Sequence, residues 1–467
     1  MNEASISIKQ LLKELSNGKP TILVCTDSAR VHSGLANSTR ELFTRIHAMD
    51  KYNIVQHGWA GIIPVENVPW RVILTETEQR PDGRIGIKPE DQHGAVSLPK
   101  ILAQGLKPDI VFGYGDPWML QGVSFNDFRK GYKLINYITV DGEPAHTKHA
   151  DVFQAADRLI VPTEYGRHVL QAAGLPVHGV VPLGVDVTTY KKYPVEARAE
   201  LKSRVCKKKL GDVIIGLVGR NQPRKKIPEA IKALYYIRSG NYVTCIHCER
   251  VTIAPFDHAT KTPGPKPGAC KWCLSKDVTP AEPKKNVYMY LQTVLGETRL
   301  GWDLAAIIKE YFTDPYPLYH NLGLEPAAGL RTKELVDLYN IFDIFTLPTN
   351  GEGWGLPILE AMACEVPVVT TDAPAHNEYC AEGSLLTDCI RYREPLTIIE
   401  RFHIVIEDYI KNLVELVDDS SRRAWLGKRG RNAALKYSWD LVAKQWCEVF
   451  DDLLEDKLRP WQVLLEV

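Results

Sequence analysis

The stretch from Ile344 to Val369 constrains the fold of this chain more than any other. Ile344-Phe345-Thr346-Leu347 is an apolar run that reads as a buried strand. Thr349 to Gly355 carries Gly351, Gly353 and Gly355 and reads as a loop. Pro357 suits the first helical position, where a missing N–H costs nothing. Leu359 to Ala363 reads as a short helix and Val366 to Thr370 as the next buried strand. Strand, glycine loop, helix and strand together make the repeating unit of an α/β sheet. The glycines let backbone approach a ligand closely, and a helix N-terminus offers free N–H groups to a diphosphate. Glu352 lies on the loop and Glu360 eight positions later in the first turns of the helix. Ionised carboxylates only accept hydrogen bonds, so the pair suits the hydroxyls of a sugar or ribose.

Two glutamates in a βαβ turn are common, but the whole string is more specific. Asn350-Gly-Glu-Gly-Trp-Gly-Leu-Pro-Ile-Leu-Glu-Ala-Met-Ala-Cys-Glu-Val-Pro-Val-Val369 resembles the donor-site signature of the retaining GT-B glycosyltransferases of the family 4 type, the glycosyl transferases group 1. The resemblance implies an α/β fold with two Rossmann-like domains facing a central cleft. It implies a nucleotide-diphosphate sugar as co-substrate and an acceptor hydroxyl, on a saccharide or glycan, as the second partner. Glu352 would bind the transferred sugar and Glu360 the ribose. Gly353, Trp354, Gly355 and Leu356 would line the donor. No dedicated nucleophile and no catalytic metal are implied, and the chain has no Asp-x-Asp pair.

Other segments carry the same resemblance. Val213 to Val218 is an apolar strand, followed by the basic loop Arg220-Asn-Gln-Pro-Arg-Lys-Lys226 and a helix from Pro228. Arg220 and Lys225 match the cationic pair that grips the donor diphosphate, with Arg224 and Lys226 leaving the register open by one residue. Fixed cations suit a leaving diphosphate that gains charge as the glycosidic bond breaks. Thr21 to Cys25 is a short buried strand ahead of Val31-His-Ser-Gly34, which is similar to the family's N-terminal glycine loop; Gly34 is the residue carried over. The family often has a histidine after the strand Leu134 to Val140. Here Asp141 stands near that place, and the nearest histidine is His146. Asp141 is a candidate for binding the acceptor hydroxyl or the donor sugar, or equally a turn residue in Asp141-Gly142. Val180-Val-Pro-Leu-Gly-Val-Asp186 closes the N-terminal domain, with Leu183 where the family usually has histidine.

At 467 residues the chain is too long for one core, so two domains of roughly 200 residues are expected. The boundaries read as 1–190 for the acceptor domain and 191–440 for the donor domain. Residues 441–467 read as a C-terminal helical segment, and the resemblance implies that it crosses back to the first domain. The 57 basic and 57 acidic side chains give no field that points to nucleic acid or anionic membrane. No apolar run approaches the ~18 residues of a membrane span, and Met1 to Leu15 has no signal-peptide core. The basic stretch Glu196 to Gly211 reads as a solvated hinge surface, with an acceptor patch as the other reading.

Cys245-Ile-His-Cys248 and Cys270-Lys-Trp-Cys273 are two knuckles separated by 21 residues. Four thiolates in this pattern match a closed structural zinc site, with a redox pair or an iron–sulfur site as alternatives and His247 or His258 as substitute ligands. The intervening segment, with Pro263-Gly-Pro-Lys-Pro-Gly268, cannot build an apolar core, so a metal would have to supply its folding energy. Residues 241–281 therefore read as a zinc ribbon inserted in the donor domain. The scattered remaining cysteines fit a reducing cytoplasm. Two further readings stay open. A ribbon is a frequent nucleic-acid module, which would make a hydroxymethylated DNA base the acceptor. Alternatively the protein is a nucleotide-sugar binder or a zinc-dependent interaction protein without catalysis.

Overall fold

The structure is a computed structural model that describes residues 8–60, 66–145, 147–209, 211–296, 301–313, 317–320, 330–394 and 399–457. His146 and residues 458–467 of the expected C-terminal segment lie outside them. The chain forms two compact units. The first comprises Met1–Asp186 and Lys436–Val467, the second Val187–Leu435.

The first unit is built on a seven-stranded parallel sheet. Its spatial order is Arg71–Leu74, Asn53–Trp59, Thr21–Asp27, Ile110–Tyr114, Lys133–Tyr137, Arg158–Val161 and Gly179–Val180. Leu23 pairs with Val55 on one side and Val111 on the other, and all three are fully buried. Parallel strands covered on both faces read as continuous apolar runs, as Ile22-Leu-Val-Cys25 does. The helix Trp439–Leu454 is part of this unit. Ser438 caps it by accepting from the Leu441 amide. Val442, Trp446, Val449, Phe450 and Leu453 fall on one helical face and are buried. Trp446 meets Phe112 and Tyr137 edge-on at 4.9 Å, and Phe450 stacks on Phe43 at 6.4 Å.

The second unit holds a six-stranded parallel sheet. Its order is Leu318–His320, Val287–Gln292, Val213–Val218, Ile344–Leu347, Val368–Thr371 and Ser384–Thr387. Every residue of Val213–Val218 and Ile344–Leu347 is buried. Close packing over Val213–Val218 explains its one glycine: a Cβ on Gly216 would lie 2.1 Å from the Phe342 ring. Sequence order runs outward from Val213–Val218 in one direction, then restarts at Ile344–Leu347 in the other. That reversal is a topological switch point, the place where loops at the strand C-termini part and ligands bind in open α/β sheets. The basic loop after Val218 and the glycine loop after Leu347 both leave from it.

Two smaller features complete the second unit. Residues 241–281 form a three-stranded antiparallel sheet, ordered Val251–Ile253, Tyr242–Cys245 and Val278–Pro280. Cys389–Arg393 and Glu400–Ile404 form an antiparallel hairpin beyond the last strand of the main sheet. Among the described residues no helix is long and apolar enough to cross a membrane.

Candidate donor site and cysteine cluster

The two loops at the switch point are stitched together by backbone. The Asn350 amide donates to the Arg224 carbonyl (2.8 Å), and the Thr349 hydroxyl donates to the same oxygen (3.2 Å). Arg224 Nη1 in return donates to the Gly351 carbonyl at 2.9 Å. This frame buries Glu352 to 4% exposure. Its Oε1 accepts from Lys225 Nζ at 2.5 Å and stands 2.9 Å from Arg224 Nη1. Burial pushes the Glu352 carboxyl up, but Arg224 and Lys225 overcome it and hold it well below the usual carboxylate range. Two cations against one carboxylate leave a net positive centre at the switch point.

Arg220 is exposed at the end of the central strand, and its guanidinium makes no hydrogen bond or ion pair among the described residues. It does not join the Glu352 cluster; Arg224, left open by the loop's register, does. Lys226 points elsewhere, with its ammonium 6.0 Å from the Trp302 ring and 5.8 Å from Tyr392.

The helix after the glycine loop spans Leu356–Ala363, so it begins one residue before Pro357, which is its second residue rather than its first. Gly355 caps it at φ +98°, a left-handed conformation that favours glycine, and a Cβ there would lie 3.1 Å from Tyr379 Oη. Once Gly355 sets this turn, proline at the following positions is compatible with an early start. Tyr379 fixes the turn by donating to the Gly355 carbonyl (2.8 Å), and its ring stacks on buried Trp354 at 4.6 Å. Leu356 is half-buried as the first helical residue. Gly353 lies half-buried on the loop. Glu360 belongs to a separate group, accepting from Tyr339 Oη at 2.7 Å.

His376 is fully buried beside this loop, where the Ala375 amide donates to the Glu352 carbonyl at 3.2 Å. Its Nε2 sits 3.0 Å from the Thr371 carbonyl, so that nitrogen carries the proton. Burial lowers its pKa to about 4 and keeps the ring neutral. Tyr339, Tyr379 and His376 escape a sequence reading because nothing local marks them; only the fold brings them to the motif.

Gly34 and Asp141 belong to the first unit. Gly34 opens the helix Gly34–Ala48, capped by Ser33, which accepts from the Ala36 amide (3.0 Å) and donates to Asp27 (2.7 Å). A Cβ on Gly34 would meet nothing within 4 Å, so packing does not require glycine there. Asp141 is half-buried in the loop beyond Lys133–Tyr137.

The four knuckle cysteines converge. Their sulfurs all lie within 4.8 Å of one another, with Cys245–Cys273 and Cys248–Cys270 at 3.5 Å. Four thiolates about 2.3 Å from a tetrahedral zinc would stand about 3.8 Å apart, so the donor set fits that ion. The knuckles share one backbone design. The Glu249 amide bonds the Cys245 carbonyl and the Leu274 amide the Cys270 carbonyl, each at 3.0 Å. Glu249 and Leu274 both take a left-handed φ, 56° and 62°. His247 and His258, the other nitrogen ligands within reach in sequence, are committed elsewhere: His247 bonds Asp277 at 2.7 Å and His258 bonds Glu310.

Residues 326–406, which span the glycine loop and both glutamates, match the family described as Glycosyl transferases group 1. A D-inositol 3-phosphate glycosyltransferase of Kineococcus radiotolerans is 23% identical over 322 residues, 66% of this chain and 59% of that protein. A probable sucrose-phosphate synthase of Thermosipho melanesiensis is 25% identical over 182 residues, 36% of this chain and 39% of that one. The chain thus spans less than two thirds of these relatives' length. Among solved structures, sucrose-phosphate synthase from Thermosynechococcus elongatus superposes with a TM-score of 0.64 at 14% identity, covering 94% of this chain and all of that one. Anabaena Alr3699/HepE in complex with UDP-glucose gives 0.63 at 14% identity, covering 92% of this chain and 99% of that one. At that identity the superpositions speak for the fold alone. The chain thus carries a glycosyl transferases group 1 domain in a protein of the GT-B fold.

Proposed function

We propose that this protein transfers a sugar from a nucleotide-diphosphate sugar to an acceptor hydroxyl on a saccharide or glycan, with retention of anomeric configuration. The observation that carries the reading is the buried Glu352 carboxylate, held ionised by Lys225 and Arg224 on a glycine loop at a switch point. The donor's anomeric C–O bond breaks with its electron pair moving onto the leaving phosphate oxygen. The acceptor oxygen bonds to the same carbon from the same face, and its proton passes to that phosphate oxygen. Lys225, Arg224 and the exposed Arg220 stabilise the charge that grows on the diphosphate. The amides of Gly353, Trp354 and Gly355 face the phosphates at a helix N-terminus. Glu352 accepts from hydroxyls of the transferred sugar, and Glu360, beside Tyr339 and Leu356, from the ribose. We assign Gly34 a close approach to phosphate and Asp141 a hydrogen bond to the acceptor hydroxyl.

In the same reading Cys245, Cys248, Cys270 and Cys273 hold one structural zinc, whose role is to fold the ribbon. The ribbon commits Lys271 to Glu407 and Arg250 to Asp388, which favours a module fixed to its own domain over a reader of DNA. A reducing, cytoplasmic setting suits such a site.

The experiment is nucleotide release from a panel of UDP-, GDP- and ADP-sugars with saccharide, phosphosugar, lipid-linked saccharide and hydroxymethylated DNA acceptors. Release that depends on a sugar acceptor, with product of retained configuration by NMR, supports the proposal. Release no greater than that of a Lys225→Ala control with every pair overturns it.

A further inference from the structure

A cavity of about 420 Å³ opens where the second cysteine knuckle meets the body of the second unit. Four stretches of chain build it. They are the first turns of the helix Ile227–Ser239, the last turns of Leu304–Tyr311, the hairpin Cys389–Arg393 with Glu400–Ile404 and its exit, and Lys271-Trp272 of the knuckle. Its size lies within the range of small-molecule pockets, about 300–1,000 Å³. None of the residues assigned to the donor lines it.

The polar groups of this cavity fall into two sets. Lys271 is bonded to Glu407 and Glu310 to His258, so these neutralise one another. Glu229, Lys232 and His403 are different. Glu229 Oε2 is enclosed by protein and has no hydrogen-bond partner among the described residues. Burial pushes its carboxyl up against the pull of Lys226, its own backbone amide and Lys232. The Lys232 ammonium makes no hydrogen bond or ion pair among the described residues. His403 touches the Tyr392 ring edge-on at 6.1 Å, and its nitrogens have no hydrogen bond among the described residues. Burial, then Lys226 and Lys232, lower its pKa, so the imidazole is neutral at pH 7 and can both donate and accept. Trp272 is 38% exposed, and its Nε1 is anchored to the Val251 carbonyl at 3.1 Å.

Only Glu229 Oε2 is enclosed; the Lys232 ammonium and the His403 imidazole line the cavity beside Glu229, and these are the polar groups a ligand there would meet. Their signs decide its class. An anion would meet Glu229 and a cation would meet Lys232. A neutral ring bearing several hydroxyls donates to the carboxylate, accepts from the ammonium, and does either with the imidazole. The apolar C–H face of such a ring packs against an aromatic side chain, here the exposed part of Trp272 left beside Lys271 and Arg250, which stand 4.6 and 4.7 Å from its ring centre. We propose that this cavity is a second saccharide site, separate from the donor residues, which takes one sugar unit against Trp272 with Glu229, Lys232 and His403 bonding its hydroxyls. The assignment rests on the cavity's own groups and does not depend on the transferase reading.

The test is calorimetric titration of the intact, zinc-loaded protein with maltotriose, cellotriose, chitotriose and sucrose. The same titrations are run on Glu352→Gln, Lys232→Met and His403→Ala, with zinc content and thermal midpoint confirming each fold. We expect one site per chain for at least one saccharide. Its Kd should be unchanged by Glu352→Gln and weakened at least about tenfold by Lys232→Met and by His403→Ala. Because Glu352→Gln alters the donor residues alone, failure of the transferase reading leaves this result untouched. Absence of binding by all four saccharides overturns the proposal. So does binding lost in Glu352→Gln and indifferent to the cavity variants, or inorganic phosphate competing at the same cavity residues.

Discussion

Lys225 Nζ lies 2.5 Å from Glu352 Oε1, with Lys225 6% and Glu352 4% exposed. A buried carboxylate this close to an ammonium cannot be treated as a surface pair. Removing one partner leaves a charge in a medium that solvates it poorly.

Lys225→Ala should therefore act on stability and on turnover. Arg224 remains to hold Glu352, so the stability cost should be on the order of 3 kcal/mol, at the low end for a broken buried pair. Turnover should fall about 100- to 1,000-fold, as when one preorganised charge-stabilising donor is lost. Denaturant unfolding and nucleotide-release kinetics check the two effects separately. Wild-type turnover in both Lys225→Ala and Glu352→Gln would remove these residues from the donor site.

The same pair fixes an acid limb. The folded Glu352 carboxyl is depressed below its ordinary value of 4.5. The native state thus binds fewer protons than the unfolded chain as pH falls. The stabilisation is fully present above about pH 4.5 and is lost as pH drops toward the folded value, well below it. Glu352→Gln should flatten the fall of thermal midpoint between about pH 5 and 3 relative to wild type. Parallel curves in the two proteins would show that Glu352 is not the group responsible.

Gly34 and Gly355 separate function from folding. A Cβ on Gly34 meets nothing, and its φ is ordinary, so Gly34→Ala should change stability by no more than about 0.5 kcal/mol. Any large loss of turnover or donor affinity in Gly34→Ala is then a ligand effect. Gly355→Ala forces an L side chain to φ +98° against Tyr379 and should cost about 1–3 kcal/mol before function is considered. Equal destabilisation in the two variants would contradict these backbone descriptions.

Chelation should release about one zinc per chain, with 4-(2-pyridylazo)resorcinol as the readout. Hydrogen exchange should then rise across 241–281, because that segment has only short strands joined by largely exposed stretches. Cys245→Ser should reproduce the change without chelator. Protein that carries no zinc after purification in metal-replete buffer would contradict the assignment.

Local signals carried part of this molecule. The apolar runs Val213–Val218 and Ile344–Leu347 could be read as buried strands because covered parallel strands are apolar throughout. The glycine loop could be read because it concentrates the residues that turn and ligand approach require. The knuckles could be read because a tetrahedral ion constrains cysteine spacing within four residues. The helix start at Leu356 was harder to place, since the left-handed Gly355 that allows it is locked by Tyr379, 24 residues away.

The sequence by itself determined the α/β class, the glycine loop with its two glutamates, and the two cysteine pairs. Each depends on neighbours within one or two turns of chain. Only the tertiary structure decided that Arg224 rather than Arg220 joins Lys225 on Glu352, a contact spanning more than 120 residues. It alone placed Tyr339 on Glu360 and stacked Tyr379 on Trp354. The reason is physical: ion pairs and aromatic contacts between distant segments leave no periodicity in the chain, because burial and packing create them only when the sheets assemble.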